Sequence, residues 1–499
     1  MSPLRFLFEC RQGRPGRHRG AKIMPPPTRK PNQDKRMLTR IEIDGFKTFE
    51  DFAVDLAPFV AILGTNAAGK SNLFDAIQLL SNLASRDVGE AIKGMRGEPM
   101  ELFRRTCCGR STRMRFAVEV LIDPSVRDPW GSEVSLGHTR LRYEVTLERR
   151  EVRPGIERVQ VAFEAATPIQ RPDDAWAERI RPSPAFRRRQ LKYSRKKPLL
   201  TTDRQEASLN FNVHQDGKAG RVRPASAAEA TVLSSITNAE FPHLFALREE
   251  MRTWRLLQLD PALLRRPVPV TADDLLTPDG ANLAAVLARI KAETLTAERP
   301  MGALSDIAAE LNALIPGVMS LNAELDKSAS EYRVDLTMRD GLPFSSRVVS
   351  DGTLRVLALL TLLHDPRHRG LVCFEEPENG VHPARLKQLV RSLQSMVTRP
   401  AEFSLADAAP LSQLLLNSHS PVVLSALVGP DLRARGDPVL FADTASVVDP
   451  AAKEVRRRTR LRPVMPTSQG ELIDSGNDPA AHVSHFEVEK LLNTASAEA

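Results

Sequence analysis

Residues 64–72 read GTNAAGKSN and fit the pattern G-x-x-x-x-G-K-[ST], with glycines, a lysine and a hydroxyl side chain at the required spacing. The run PFVAIL at 58–63 precedes this pattern as a buried strand would, and apolar residues at helical spacing follow it from Leu73. This strand–loop–helix context makes the pattern a prediction of a phosphate-binding loop. The sequence therefore predicts an α/β fold in which the loop follows a strand.

The residues of this loop have separate chemical roles. The glycines let backbone N–H groups wrap phosphate groups, and the helix N-terminus adds positive potential. Lys70 reaches the terminal phosphates, and the Ser71 hydroxyl can ligate Mg²⁺. The predicted nucleotide-binding residues are Gly64, Thr65, Asn66, Ala67, Ala68, Gly69, Lys70, Ser71 and Asn72.

Two later apolar runs also end in polar residues. RGLVCFEEPENGVHP at 369–383 closes on carboxylates, and QLLLNSHSP at 413–421 closes on a histidine. In a parallel sheet such strand ends meet the phosphate-binding loop at one edge. We assign Glu375 to Mg²⁺ and Glu376 to a general base that orients and deprotonates water. The alternatives are a solvated acidic loop and, for His419, a structural histidine.

The stretch VVSDGTLRVLALLTLL at 348–363 places a small polar turn directly before an apolar helix. The turn consists of Ser350, Asp351, Gly352 and Thr353. Because a helix N-terminus attracts anions, this turn is a candidate for a second phosphate contact.

Charge and composition limit the class of protein. The formal net charge of +8 resides in residues 1–36, which hold ten Lys and Arg against Glu9 and Asp34. This Pro- and Gly-rich stretch is predicted to be a disordered basic leader, unless the true start is Met24 or Met37. The four cysteines have neither disulfide nor metal-ligand spacing, and the longest apolar run, 356–363, is far below the roughly 18 residues of a membrane helix. A cytoplasmic protein with no membrane partner is expected.

Four motifs together resemble a known family. GTNAAGKSN, SDGTLR, FEEPENGVHP and NSHSP, in this order and with a long insert after the first, are similar to ATPases of the ABC superfamily, in the branch of RecF, SMC and OLD-like proteins. IDGFKTF at 43–49 is similar to the segment that opens SMC and RecF heads. The resemblance covers about 37–122 and 260–430, and it implies an ABC-type head with a mixed or parallel sheet split by an insert.

The resemblance also implies roles for individual residues. Residues 64–71 match the Walker A loop, Glu375 and Glu376 the Walker B pair, and His419 the switch histidine. Asn379 to Pro383 match the D-loop region. Ser350, Asp351 and Gly352 stand at the signature Ser-Gly-Gly, which in this family caps the γ-phosphate of the neighbouring subunit's ATP.

The sequence departs from the family pattern in three places. Glu375 stands where the family usually has Asp, and no glutamine in 86–115 can be placed as the Q-loop residue. OLD nucleases continue into a Toprim domain, but the residues after His419 contain no D-x-D pair.

The positions of these motifs also suggest how the chain is divided into segments. We expect head segments at 37–122 and 345–430, head strands plus a lid or partner-binding insert at 123–344, and a C-terminal tail at 431–499. The insert contains FRRRQLKYSRKKP at 186–198, where cations flank Phe186 and Tyr193. This run is a nucleic-acid candidate, or else a solvated lid loop or a dock for an acidic partner. Its cations are Arg187, Arg188, Arg189, Lys192, Arg195, Lys196 and Lys197.

The resemblance implies a switch that binds and hydrolyses ATP with Mg²⁺. Two heads, or a higher even number, would join through sandwiched ATP and control a separate effector protein or a nucleic-acid transaction, in antiphage defence or repair. One alternative is a RecF-like repair ATPase whose head binds duplex DNA. Another is an ATP-gated scaffold with negligible turnover.

Overall fold

A computed structural model gives the fold of the chain. It describes residues 36–106, 109–205, 208–215, 218–225, 227–368, 370–404, 413–428, 437–449, 454–465 and 482–498. The predicted leader lies outside these residues except for Arg36, whose Nε donates to Asp123 Oδ2 at 2.5 Å.

Strands and helices alternate along the described chain. The strands are β1 (Met37–Asp44), β2 (Phe52–Asp55), β3 (Phe59–Gly64), β4 (Arg105–Thr106), β5 (Gly109–Arg110), β6 (Arg113–Leu121), β7 (Ser125–Arg127), β8 (Glu133–Ser135), β9 (Arg140–Arg153), β10 (Ile156–Pro168), β11 (Leu200–Gln205), β12 (Ser208–Gln215), β13 (Lys218–Pro224), β14 (Arg255–Leu257), β15 (Val268–Pro269), β16 (Val318–Asp326), β17 (Glu331–Met338), β18 (Pro343–Ser345), β19 (Leu371–Glu375), β20 (Gln413–Ser418), β21 (Val439–Asp449), β22 (Glu454–Met465) and β23 (Val483–Ser484).

The helices are α1 (Lys70–Leu83), α2 (Val88–Lys93), α3 (Ala175–Ile180), α4 (Pro184–Gln190), α5 (Pro242–Arg252), α6 (Pro261–Leu264), α7 (Leu283–Thr294), α8 (Leu304–Leu314), α9 (Asp351–Leu363), α10 (Pro383–Ser395), α11 (Pro421–Leu427) and α12 (His485–Glu498). Short 3₁₀ turns occur at Pro99–Leu102, Arg171–Asp173, Leu233–Ser235 and Ser346–Val348.

The central sheet carries the phosphate-binding loop. Its strand order is β14-β19-β20-β3-β21-β22-β23. The five strands from β14 to β21 pair in parallel, and β22 pairs antiparallel with β21. Because β3, β19 and β20 are parallel neighbours, their carboxyl ends meet at one edge of the sheet.

The parallel strands are continuously apolar because both of their faces are covered. In β3, Val60 and Ile62 belong to one hydrophobic core, whereas Phe59, Ala61 and Leu63 belong to a second core on the other face. This alternation follows from the two-residue period of a strand. Together with the strand order, it confirms the predicted α/β class with a mixed sheet.

Different elements cover the two faces of the central sheet. The first core contains α1, α5 and an antiparallel sheet of order β13-β12-β11-β10-β9-β6-β1-β2. The second core contains α7 to α12 and a smaller sheet of β15 to β18. No helix in the described ranges has the length and apolarity needed to cross a membrane.

The part of the chain after residue 430, expected as a C-terminal tail, contributes to the central sheet. β21 pairs with β3 on the side opposite β20, and β22 pairs with β21. The two strand partners of β3 therefore both come from more than 340 residues later in the chain. Sequence pattern alone does not show such a pairing because it depends on topology rather than on local periodicity.

Candidate nucleotide-binding site

The phosphate-binding loop connects β3 to α1. Gly69 is the N-cap of α1 and has φ +90°, in the left-handed region that favours glycine. A Cβ atom on Gly69 would lie 2.1 Å from Thr459 Oγ1. The packing around the loop therefore requires a residue without a side chain at this position.

Lys70 is held inside the loop. Its side chain is buried, with the whole residue 7% exposed, and its Nζ donates to the carbonyl oxygens of Gly64 at 2.6 Å and Thr65 at 2.8 Å. Burial lowers the pKa of Lys70, and the opposing charges of Glu376, Glu378 and Glu375 act to raise it. The ammonium group therefore lies close enough to the three carboxylates to interact with them electrostatically.

Two threonines clasp the loop from outside. The Oγ1 atoms of Thr48 and Thr459 lie 2.7 Å apart, and Thr459 Oγ1 donates to the Ala68 carbonyl oxygen at 3.2 Å. Asn72 Nδ2 donates to Thr48 Oγ1 at 2.9 Å. The sequence pattern does not predict the contact of either threonine with the loop. Thr48 lies inside IDGFKTF, which signals a family but not a contact, and Thr459 lies on β22 in the expected tail.

Glu375 lies at the end of β19 between two donors. Asn417 Nδ2 is 3.3 Å from Glu375 Oε1, and Arg96 Nη2 is 3.4 Å from the same oxygen. Arg96 also pairs with Asp75 at 2.8 Å, and Asp75 pairs with Lys47 at 2.6 Å. Arg96 thus reaches the carboxylate from 86–115, the range in which no Q-loop glutamine was found.

Glu376 points differently from Glu375. Its backbone has φ +50°, which is uncommon for a residue with a side chain. Its N–H donates to the carbonyl and side-chain oxygens of Asn417, both at 3.1 Å, which holds this conformation. Asn379 Nδ2 donates to Glu376 Oε2 at 2.6 Å, and 41% of the Glu376 side chain is exposed. Of the adjacent carboxylates, Glu376 is therefore the one open to solvent.

His419 lies between two carboxylates. Its Nδ1 is 3.4 Å from Glu378 Oε1 and 3.7 Å from Glu376 Oε1. Glu378 Oε1 also accepts hydrogen bonds from Ser418 Oγ at 2.7 Å and from the His419 N–H at 2.9 Å. Glu378, whose side chain is 10% exposed, thus fixes the position of the histidine. In the sequence Glu378 is the next candidate for the base after Glu376, and nothing in the pattern marks its contact with His419.

The donors at this edge fit Mg²⁺ that arrives with a nucleotide. Among the described residues, no group of three or more His, Cys, Asp or Glu side chains is arranged to hold a metal ion by itself. The Ser71 hydroxyl and the Glu375 carboxylate are hard oxygen ligands, and Mg²⁺ takes its other ligands from phosphates and water. These two residues would hold the ion.

The polar turn at 350–353 caps α9. Ser350 is the N-cap, and its Oγ accepts from the Thr353 N–H at 3.3 Å and lies 2.8 Å from Thr353 Oγ1. Asp351 pairs with Arg265. Among the described residues, no hydrogen bond or ion pair joins this turn to the loop at 64–72. Ser350 and Asp351 are exposed at the protein surface, whereas Gly352 and Thr353 are buried.

Gly352 packs directly on the loop that follows the carboxylates. A Cβ atom on Gly352 would lie 1.7 Å from the Gly380 carbonyl oxygen, so the two backbones are in contact. Gly380 itself has φ +77°. The turn at Ser350 and the loop after Glu376 therefore form one packed unit.

We expect Gly352→Ala to destabilise the protein by at least about 1–3 kcal/mol, because the added methyl group meets backbone that cannot rotate away. Thermal unfolding measures this loss as a lower melting temperature. Gly94→Ala is the matched control. Its nearest atom would be 3.9 Å away and its φ is −81°, so its melting temperature should stay close to that of the wild type. Equal melting temperatures for both variants would contradict the close contact.

The basic run at 186–198 lies at the opposite end of the central sheet. Phe186 packs in a cluster with Met37 and Phe403, and Leu38 bonds to Gln413, the first residue of β20. The edge of the sheet that carries Glu375 and His419 is at the other end of β20. The basic run is thus remote from the loop at 64–72.

The structure contradicts base stacking by the two aromatic residues of this run. Phe186 is fully buried, and Tyr193 donates its hydroxyl to Asp174 Oδ2 at 2.8 Å. Arg195 is also buried, with bonds to the carbonyl oxygens of Lys197 and Pro198. The cations of the run that are exposed are Arg187, Arg188, Lys196 and Lys197. A contact with nucleic acid would therefore involve phosphate groups without stacking.

The fold and the site define a P-loop protein built on a mixed α/β sheet. Residues 59–425 match a family described as "AAA domain, putative AbiEii toxin, Type IV TA system", and the chain belongs to this family. The match confirms the predicted class of P-loop ATPase. A comparison with curated proteins gave no match.

Solved structures with a similar chain path include three SMC head domains. An SMC head bound to the C-winged helix domain of ScpA has 13% identity and a TM-score of 0.44, with 85% of this chain and 98% of that chain covered. A head with an extended coiled coil, bound to the C-terminal domain of ScpA and derived from Pyrococcus furiosus, has 12% identity and a TM-score of 0.43. The match covers 86% of this chain and 96% of that chain. The head from Thermotoga maritima has 11% identity and a TM-score of 0.35, and the match covers 86% of this chain and 99% of that chain.

Proposed function

We propose that this protein hydrolyses ATP to ADP and phosphate. One observation carries the proposal: Lys70 is buried in the phosphate-binding loop and interacts with the carboxylates that end β19, while His419 ends β20 beside them. A loop for phosphates and a carboxylate open to water are groups that phosphoanhydride hydrolysis uses, and the histidine at the same sheet edge can contact the terminal phosphate.

Each of these groups has a distinct task in the proposed reaction. Lys70 and the backbone N–H groups of the loop bind the phosphates. Glu376, which is exposed and held by Asn379, orients the attacking water and accepts its proton. His419, fixed by Glu378, contacts the γ-phosphate. Bound Mg²⁺ would neutralise phosphate charge.

We propose that the complete site forms between two copies of the chain. Ser350 is an exposed N-cap on the 13-residue helix α9, and Val348 beside it is 71% exposed. The turn has no described polar contact with the loop of its own chain, so its anion-binding end is available to the ATP of a second copy. Because the turn packs on the loop after Glu376, closure of the dimer would act on the catalytic carboxylates.

The biological role proposed for this ATPase is that of a cytoplasmic switch. ATP would join two copies and hydrolysis would release them, which would control a separate effector protein or a nucleic-acid transaction in defence or repair. This role rests on analogy with the family. A RecF-like repair ATPase would instead show salt-dependent binding of duplex DNA by the chain alone, with a log–log slope no steeper than about −4 if the four exposed cations of 186–198 make the contacts.

Steady-state hydrolysis of Mg²⁺-ATP by the purified chain tests the proposal. We expect turnover in the wild type and its loss in Lys70→Ala, because the lysine provides the contact to the terminal phosphates. Lys93→Ala is a suitable control, since Lys93 is exposed and pairs only with Glu90 in the described structure. ATP binding without measurable turnover in the wild type would contradict the proposal and favour the ATP-gated scaffold.

A further inference from the structure

A cavity of about 640 Å³ lies beside α1, and no residue of the loop at 64–72 lines it. Its lining comes from α1, the segment 94–96 after α2, β14 and the loop 273–278. Gln78, Ser81 and Asn82 contribute amide and hydroxyl groups from α1, and Ser85 follows the end of that helix. This volume lies in the range of sites that bind small molecules, and the lining is more polar than is usual for them.

Arg255 faces this cavity, and none of the described carboxylates forms an ion pair with it. It lies on the edge strand β14 and is half-buried, and no ion pair or side-chain hydrogen bond of Arg255 occurs among the described residues. Asp365, a carboxylate that acts on it, pairs with Arg289 at 2.6 Å and accepts from the Arg367 N–H. A guanidinium group removed from water without a partner raises the energy of the folded state.

Other charges around the cavity add to this effect. Burial and the neighbouring Arg252 both lower the pKa of Arg255, which shows that the site disfavours its positive charge. Of the cavity's aspartates, Asp75 and Asp274 are paired with arginines, and Asp273 is exposed. A bound anion would therefore stabilise Arg255 more directly than these carboxylates do.

The cavity is connected to the proposed ATPase site through Arg96. This residue lines the cavity, and its Nη2 atom lies 2.8 Å from Asp75 and 3.4 Å from Glu375. An anion that attracts Arg96 would weaken its contact with Glu375. Occupation of the cavity would then change the carboxylate assigned to Mg²⁺.

We infer that the cavity is a second ligand site, which binds a phosphate-bearing small molecule anchored by Arg255. Arginine presents a planar fork of N–H donors that matches a phosphate group. The site is separate from the loop at 64–72, so the inference does not depend on ATP hydrolysis. Its effect on Glu375 rests on the proposed function.

Isothermal titration with inorganic pyrophosphate tests the inference. We expect two pyrophosphates per chain in the wild type, because both the loop and the cavity bind phosphate groups. Arg255→Gln should lose the cavity site, with at least a tenfold fall in its affinity, and should keep the loop site. Lys70→Ala should show the reverse, and Arg255→Lys should retain part of the cavity affinity because it keeps the charge. The exposed Arg158→Gln, far along the chain on β10, is the control and should bind like the wild type.

The stoichiometry separates the two proposals. A single site that Lys70→Ala removes and Arg255→Gln leaves unchanged would overturn the cavity site while leaving ATP binding intact. Two sites in a wild type without ATP turnover would support the cavity and contradict the ATPase. The melting temperature of Arg255→Gln should be no lower than that of the wild type, since the variant removes an unpaired charge.

Discussion

Replacing Glu376 with Gln should lower the turnover number for ATP by about 10²–10⁴-fold and leave ATP binding intact. The amide has nearly the same size as the carboxylate, but it cannot accept a proton from water. Asn379 can still bond to the side-chain oxygen of the variant, so the geometry of the loop is preserved. The phosphate contacts of Lys70 do not involve this side chain.

Two measurements check this prediction. Single-turnover kinetics gives the loss in the chemical step, and size-exclusion chromatography with ATP should show a stable dimer, because the nucleotide that joins the copies is no longer consumed. Glu133→Gln, which changes an exposed glutamate on β8, controls for the loss of one charge. If turnover in Glu376→Gln stayed within about threefold of the wild type, the base would lie elsewhere, with Glu378 as the next candidate.

The second large effect concerns two variants that should be inactive alone and active together. Lys70→Ala removes the phosphate contact within a chain, and Ser350→Arg fills the N-terminus of α9, which is proposed to act on the partner copy. Each homodimer then has two defective sites. A mixed dimer has one site in which both halves are intact. In an equal mixture half of the dimers are mixed, so about a quarter of the wild-type activity should return if the sites act independently.

The mixing experiment is measured as ATPase activity after the two variants are combined with ATP. Asp340→Ala, in the exposed turn between β17 and β18, is a control for a surface change ahead of α9 and should stay active. Normal hydrolysis by Ser350→Arg alone would contradict the shared site. Failure of the mixture to recover activity would show that the two sites must act together, provided that each variant still unfolds at the wild-type temperature.

The residues that the sequence revealed are those whose chemistry follows local order. Lys70 and Ser71 stand next to each other after a recognisable strand, and Glu375 and Glu376 end another strand. The parallel pairing of the central strands follows from their continuous apolar runs. In these cases, neighbours along the chain are also neighbours in the site, so a one-dimensional pattern is sufficient.

The residues that the sequence did not reveal depend on contacts between distant segments. Thr459 reaches Ala68 across a separation of 391 residues, and Arg96 reaches Glu375 across 279. Neither residue has a local pattern that marks it. Phe186 and Tyr193 show the reverse case, in which a local pattern suggests base stacking. Their rings or hydroxyl groups contact Phe403 and Asp174 of the same chain instead.

The position of β3 in the central sheet has a consequence for synthesis on the ribosome. β3 and the phosphate-binding loop are made early, but their strand partners β20 and β21 and the clasping Thr459 are made more than 340 residues later. At about 5–20 residues per second, the 391 residues from Ala68 to Thr459 take roughly 20–80 s to translate. During that interval the nascent chain carries the loop sequence without its sheet. Nucleotide binding that depends on this sheet would therefore begin only after residue 459 has emerged, and a translation product interrupted before that point would lack the strand partners of the loop.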